Sequence, residues 1–268
     1  MSRLDQELVN RGLARSRTVA ATLIKAGRVT VEGVPAVKAA QAVVSGTAVE
    51  LLPGHEEDYV SRAGHKLAGA LAHFPQVTVA GKRCLDAGAS TGGFTDVLLR
   101  NGAARVVAVD VGHGQLVESL RHDPRVDVHE GLNIRYMSAE DIGGPAELTV
   151  CDLSFISLTL VMTPLALATQ VGGELLLMVK PQFEVGRERL ARTGVVSSEN
   201  ERRRAVALVA SAAVANGLAL QDIGTSALPG QDGNVEYFLL AKRVVSGPAP
   251  KIEEQGRAVE KLLARLWP

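Results

Sequence analysis

Four ionisable residues far apart in the chain, Lys66, Asp152, Lys180 and Glu236, fall where predicted elements begin or end. Lys66 leads into an apolar helix, Leu67 to Leu71. Asp152 and Lys180 stand at the carboxyl ends of two apolar strands, and Glu236 opens a third. In an open α/β sheet such positions converge on one edge, where ligands lie. A lysine leaving an apolar strand can take the proton of a hydroxyl nucleophile or steady the charge that develops on it. A strand-end lysine taken singly is ordinarily a snorkelling surface group. Two lysines and two acids at one edge are harder to dismiss, and they mark a catalytic tetrad. Lys66, a cation early in its helix, also opposes the helix dipole, a placement with a small cost in stability.

The second chemical signal is RCLDAGASTGGFTDVLLR, residues 83–100. Cys84-Leu85 ends an apolar run, Asp86 closes it, and Gly88, Gly92 and Gly93 follow. A helix with Phe94, Val97 and Leu98 on one face comes next. Glycines there allow positive φ and let the backbone pass close under a ligand. The spacing is not G-x-G-x-x-G, so a nicotinamide dehydrogenase is not expected. An acid ahead of the glycines suits a cationic ligand better than a phosphate, and S-adenosylmethionine is such a ligand. Asp86, Gly88, Ser90, Gly92 and Phe94 are therefore the candidate cofactor residues. Asp110 ends the next strand, 24 residues past Asp86, at the place where an acid accepts hydrogen bonds from a ribose. Asn133, shortly after a third strand, is a candidate adenine contact.

These residues need a framework. Apolar runs at Val106 to Asp110, Val126 to Glu130, Leu148 to Leu153, Gly173 to Lys180, Ala219 to Ala227 and Val235 to Lys242 join the run before Asp86. Alternating with helices, including Leu158 to Leu167, Glu199 to Asn216 and Ala258 to Leu266, they predict a seven-stranded, doubly wound α/β sheet. Hydrophobic residues make up 46 % and charged residues 22 %, within the range of a soluble globular chain. Aromatics are only 3 %, which argues against a broad base-stacking platform. No apolar run approaches the roughly 20 residues of a membrane span. The start, MSRLDQELVN, lacks the apolar core of a signal peptide. Cys84 and Cys151 sit inside apolar strand patterns, too few for a disulfide framework or a zinc site. A cytoplasmic enzyme that needs no metal is expected.

Global charge balances at 29 basic and 29 acidic residues, but residues 1–28 hold Arg3, Arg11, Arg15, Arg17, Lys25 and Arg28 against Asp5 and Glu7. Such a concentration on one small module is the footprint of RNA binding. Leu4 to Arg11 reads as a helix stopped by Gly12. Ser16 caps a second helix with Val19, Leu23 and Ile24 on its apolar face. Arg28 to Val31 then reads as a strand turning at Glu32-Gly33. The helix pair, arginine cluster and hairpin resemble the S4-type RNA-binding module. The polar stretch Pro53 to Asp58 reads as a linker. The expected division is an S4-like RNA-binding domain at residues 1–53, a linker at 54–60 and the doubly wound α/β domain at 61–268.

With that start, DAGASTGGFTDVLL, CDLSFISL, LMVKPQFEVG and GNVEYF closely resemble the TlyA (hemolysin A) family of rRNA ribose methyltransferases, nearly end to end. The methyltransferase part is similar to FtsJ-like 2'-O-methyltransferases. The resemblance implies a Rossmann-like class I methyltransferase domain after a small α+β S4-like domain. It implies the Lys-Asp-Lys-Glu tetrad at Lys66, Asp152, Lys180 and Glu236, with S-adenosylmethionine along Asp86, Gly88, Ser90, Gly92, Phe94 and Asp110. It further implies methylation of cytidine 2'-hydroxyls in 23S rRNA of the 50S subunit. Longer members also act on 16S rRNA in the 30S subunit. The helix running to Pro268 resembles theirs, whereas only Met1-Ser2 precede the Arg-Leu-Asp start, so one or both subunits remain open. Two rivals stand beside this: a non-catalytic RNA-binding assembly factor, opposed by the intact tetrad, and a membrane-lytic hemolysin, for which no spanning segment is seen.

Overall fold

The computed structural model describes residues 2–14, 16–25, 27–44, 46–52, 59–186, 188, 190, 193–244 and 252–268. The chain divides into two compact units, residues 1–58 and 59–268. Of the linker expected at 54–60, residues 54–58 lie outside the described residues, while Tyr59 and Val60 belong to the second unit.

In the first unit, strand β1 (Ser2–Arg3) leads into helix α1 (Leu4–Asn10), and helix α2 (Arg17–Lys25) follows. Ser16 Oγ accepts the Val19 N–H at 3.3 Å, as a cap should. Strands β2 (Val29–Val31), β3 (Val34–Pro35), β4 (Ala42–Val43) and β5 (Val49–Leu51) complete it. β2 and β3 form the hairpin expected at Glu32-Gly33, where both turn residues have positive φ (52° and 76°). β2, its turn and the return at Val34 are legible in sequence. The other strands, of two or three residues, are too short to show a period. Leu4, Leu8, Ala20, Ile24 and Val29 form the core.

The second unit opens with α3 (Arg62–His73) and then alternates: β6 (Arg83–Ala87), α4 (Gly93–Arg100), β7 (Arg105–Asp110), α5 (Glu118–Arg121), β8 (Val126–Glu130) and β9 (Ala146–Cys151). It continues through α6 (Met162–Ala168), β10 (Thr169–Val179), α7 (Pro181–Glu184), α8 (Glu199–Ala215), β11 (Leu218–Thr225), β12 (Tyr237–Arg243) and α9 (Ile252–Leu263). The seven-stranded sheet has the order β8-β7-β6-β9-β10-β12-β11. Only β12 runs antiparallel to both its neighbours. Strand order reverses between β6 and β9, the switch point at which open sheets bind ligands.

Both faces of the sheet are buried, which is why its strands read as unbroken apolar runs. Leu175 and Leu177 point to a core shared with Met162, Leu165, Val206, Val209 and Leu263. Leu176 and Met178 point to the other, with Leu67, Phe74, Val97 and Leu98. Two expected helices differ. Leu158 to Leu167 splits into a 3-10 turn at Leu158–Leu160 and α6, because Ser157 caps the first piece and Val161 leaves helical geometry at φ −118°. The last helix begins earlier than Ala258, with Glu253 and Glu254 in its first turn, where acids favour the dipole.

Candidate active site

The loops following β6 and β9 meet at the switch point. Gly88 has φ 94°, and a Cβ there would lie 2.7 Å from the Asp152 carbonyl oxygen, so only glycine fits. The Asp152 N–H donates back to the Ala87 carbonyl at 3.1 Å. Beside this contact lies a cavity of about 450 Å³, lined by Gly88, Ser90, Asp110, Asn133 and Asp152 and by the apolar Val111, Leu132, Ile134 and Ile156. A smaller recess of about 150 Å³ shares Gly88, Ser90, Asp152 and Ser154 with it and adds Phe94 and Lys180.

Asp110 shapes the wall. Its two carboxylate oxygens accept the Ser90 N–H at 2.8 Å and the Gly112 N–H at 2.7 Å. That holds Ser90 at a φ of 46°, uncommon for a residue with a side chain. Each oxygen keeps a lone pair for a ligand hydroxyl. Asn133 uses its Oδ1 to accept the Arg135 N–H at 3.0 Å, and its Nδ2 has no partner among the described residues. Gly92 caps α4 at φ 98°, packed on Leu116 and Leu120, and does not line the cavity.

Asp86 stands elsewhere than the sequence suggested. Its side chain is fully buried behind the glycine turn, where one oxygen accepts the Thr95 hydroxyl at 2.6 Å and the other has no partner. Burial pushes its carboxyl up to about 7, more than the Thr95 hydrogen bond brings it down. The acids on the cavity wall are Asp110 and Asp152.

The four tetrad residues converge as two ion pairs. Lys180 Nζ lies 2.5 Å from Asp152 Oδ1 and donates to Ser154 Oγ at 2.9 Å. Lys66 Nζ donates to Glu236 Oε2 at 2.5 Å, and that carboxylate also accepts Gln182 Nε2 at 3.1 Å. The first pair faces the recess; the second is buried, with Glu236 only 2 % exposed, and lines neither cavity. The one-turn helix α7 links them. Lys180 caps it, Pro181 begins it and Gln182 reaches Glu236. Glu184, its carboxyl pushed up by burial, accepts the Ser157 hydroxyl at 2.5 Å and the Leu158 N–H at 2.8 Å. Ser154, Gln182 and Glu184 escaped the sequence reading. They sit in CDLSFISL and VKPQFE, close to the acid and lysine that were found, and that proximity was the available signal.

In the first unit, Arg3 and Arg17 both grip Asp5. Arg11 donates to Glu7 and to the Thr47 carbonyl, and Arg28 to the Leu52 carbonyl. Lys25 is exposed at the end of α2, while Arg15 lies outside the described residues. Among the described residues no His, Cys, Asp and Glu group could hold a metal ion.

A sheet of this order with a glycine-lined cleft at its switch point is the architecture of Rossmann-like methyltransferases. Residues 59–243 match the FtsJ-like methyltransferase family, and residues 2–49 match the S4 domain. The 16S/23S rRNA (cytidine-2'-O)-methyltransferase TlyA of Mycobacterium tuberculosis is 53 % identical over 89 % of this chain and 88 % of its own. The 23S rRNA (cytidine-2'-O)-methyltransferase TlyA of Campylobacter jejuni is 37 % identical over 73 % of this chain and 74 % of its own. A solved hemolysin-named structure from Streptococcus thermophilus superposes with a TM-score of 0.74 at 36 % identity, covering 98 % of this chain and 94 % of that one. The chain belongs to the TlyA branch of the FtsJ-like methyltransferase family.

Proposed function

We propose that this protein methylates the 2'-hydroxyl of a cytidine in ribosomal RNA, taking the methyl group from S-adenosylmethionine. The observation that carries the reading is the Lys180–Asp152 pair opening beside a cleft whose other wall is the Asp110–Ser90 turn. The cleft suits the cofactor: Asp110 for the ribose diol, Asn133 and apolar residues for the adenine, Asp152 for a cation. S-adenosylmethionine, when bound, supplies an electrophilic methyl on an already activated sulfonium.

Lys180 then holds or accepts the proton of the ribose hydroxyl as that oxygen attacks. Asp152 and Ser154 fix the amine from two sides, so it enters the reaction already oriented. Lys66 and Glu236, behind them, brace α7 through Gln182. The residues of the first unit hold the RNA, mainly through phosphates, which gives affinity without reading sequence. The substrate is 23S rRNA in the 50S subunit, with 16S rRNA in the 30S subunit as the second, and the protein works in the cytoplasm. Among the described residues no helix is long and apolar enough to cross a membrane.

The test is transfer of labelled methyl from S-adenosylmethionine to unmodified 50S and 30S subunits, each separately, with the modified nucleotide mapped. Lys180→Ala is expected to abolish transfer while calorimetry shows cofactor affinity within about twofold of the parent. Equal turnover in that variant removes Lys180 from the chemistry. No label on either subunit, with a control enzyme active on both, moves the reading to an RNA-binding assembly factor.

A further inference from the structure

Arg3 and Arg17 belong to different elements, the strand end before α1 and the first residue of α2, yet both grip one carboxylate. Arg3 donates Nε to Asp5 Oδ1 at 3.0 Å and Nη2 to Oδ2 at 2.9 Å. Arg17 donates Nε and Nη2 to Oδ2 at 3.3 and 3.1 Å. Asp5 Oδ1 also accepts the Gln6 N–H at 2.9 Å. Asp5 is 4 % exposed, whereas the two arginine side chains remain 52 % and 55 % exposed. Neither Nη1 has a partner among the described residues. Arg11 behaves differently: it is 28 % exposed and spends Nε on Glu7 and Nη1 on a carbonyl.

We propose that Asp5 is a positioning residue for RNA, holding Arg3 and Arg17 as one rigid surface of two guanidinium groups that grips a phosphodiester backbone. This rests on the reading that the first unit binds ribosomal RNA. One acid against two arginines leaves the cluster a net positive charge. The arginines' facing edges are tied to Asp5, and their outer N–H groups stand ready for phosphate oxygens. Long side chains fixed before binding lose less freedom when the RNA arrives.

The idea makes a prediction of unusual sign. Removing an acid from a phosphate-facing surface should tighten RNA binding on charge alone. Loss of positioning should weaken it. The experiment measures binding of the full chain to unmodified 50S subunits over a series of salt concentrations, for the parent, Asp5→Asn and the double variant Arg3→Lys with Arg17→Lys. Thermal unfolding and cofactor affinity are read in parallel. Asp5→Asn is expected to bind roughly tenfold more weakly at moderate salt, with cofactor affinity unchanged. The double variant keeps both charges but not the forked geometry, and a similar weakening is expected. It decides the matter if Asp5→Asn unfolds. Asp5→Asn folded and binding as tightly as the parent, or more tightly, overturns the proposal, and so does a double variant that matches the parent. A parent that fails to bind subunits overturns the underlying RNA reading instead.

Discussion

Lys66 and Lys180 are equally buried, at 8 % exposure each, but they face different surroundings. Lys180 borders a recess, while Lys66 is enclosed between Glu236 and Met178. Removing one partner of an enclosed pair leaves an uncompensated charge, at a cost of about 3–5 kcal/mol. Lys66→Ala is therefore expected to destabilise the second unit by about that amount, whereas Lys66→Met with Glu236→Leu recovers much of it. Urea unfolding of both variants checks this; a Lys66→Ala midpoint equal to the parent's would mean that water reaches the pair. Asp86 adds a pH signature. An unfolded chain releases that proton near pH 4, but the folded chain keeps it to about 7. The contribution of the protonated carboxyl is full at low pH, declines as pH rises between those values, and is gone above them. Asp86→Asn should thus gain on the parent between about pH 5 and about pH 8, by a few kcal/mol at most. Unfolding measured at both ends decides, since a constant difference would mean the carboxyl is charged throughout.

Among elements, α7 does more than its four residues suggest. It joins Lys180, Glu236 through Gln182, and the loop carrying Ser154 through Glu184. Glu184→Gln keeps one oxygen for the Leu158 N–H and must turn its amide nitrogen toward the Ser157 hydroxyl, exchanging charge-assisted bonds for neutral ones at a cost of about 1 kcal/mol. Turnover is expected to fall roughly tenfold or more, with cofactor affinity little changed, in a paired measurement of kcat and calorimetric Kd. Unchanged turnover would show that the loop holds its place without Glu184. This element also marks where sequence reasoning stops. Long apolar strands with an acid or lysine at the tip were legible, because burial on both faces leaves a continuous run and its polar end stands out. That same continuity hid which way Asp86 faces, since neither side of a central strand is polar. A single helical turn has no period to detect, so Gln182 and Glu184 looked like loop residues. The convergence of the tetrad was legible from topology; its division into two ion pairs depends on side-chain packing.

At the scale of the whole molecule, the labour is divided. Basic charge is concentrated in residues 1–28 of a chain with no net charge, and the candidate chemistry is confined to residues 59–268. Among the described residues no helix is long and apolar enough to cross a membrane. The two cysteines carry a practical consequence. Cys84 on β6 and Cys151 on β9 lie on adjacent central strands, both 0 % exposed, and burial pushes the Cys84 thiol up to about 12 and the Cys151 thiol higher still. The first unit has no cysteine. Thiol reagent uptake is thus a clock for opening of the central sheet, since neither thiol lies in the first unit. In rising denaturant both thiols should label together, with a midpoint that cofactor moves upward. Labelling of one thiol well before the other would show that β6 and β9 come apart in separate steps.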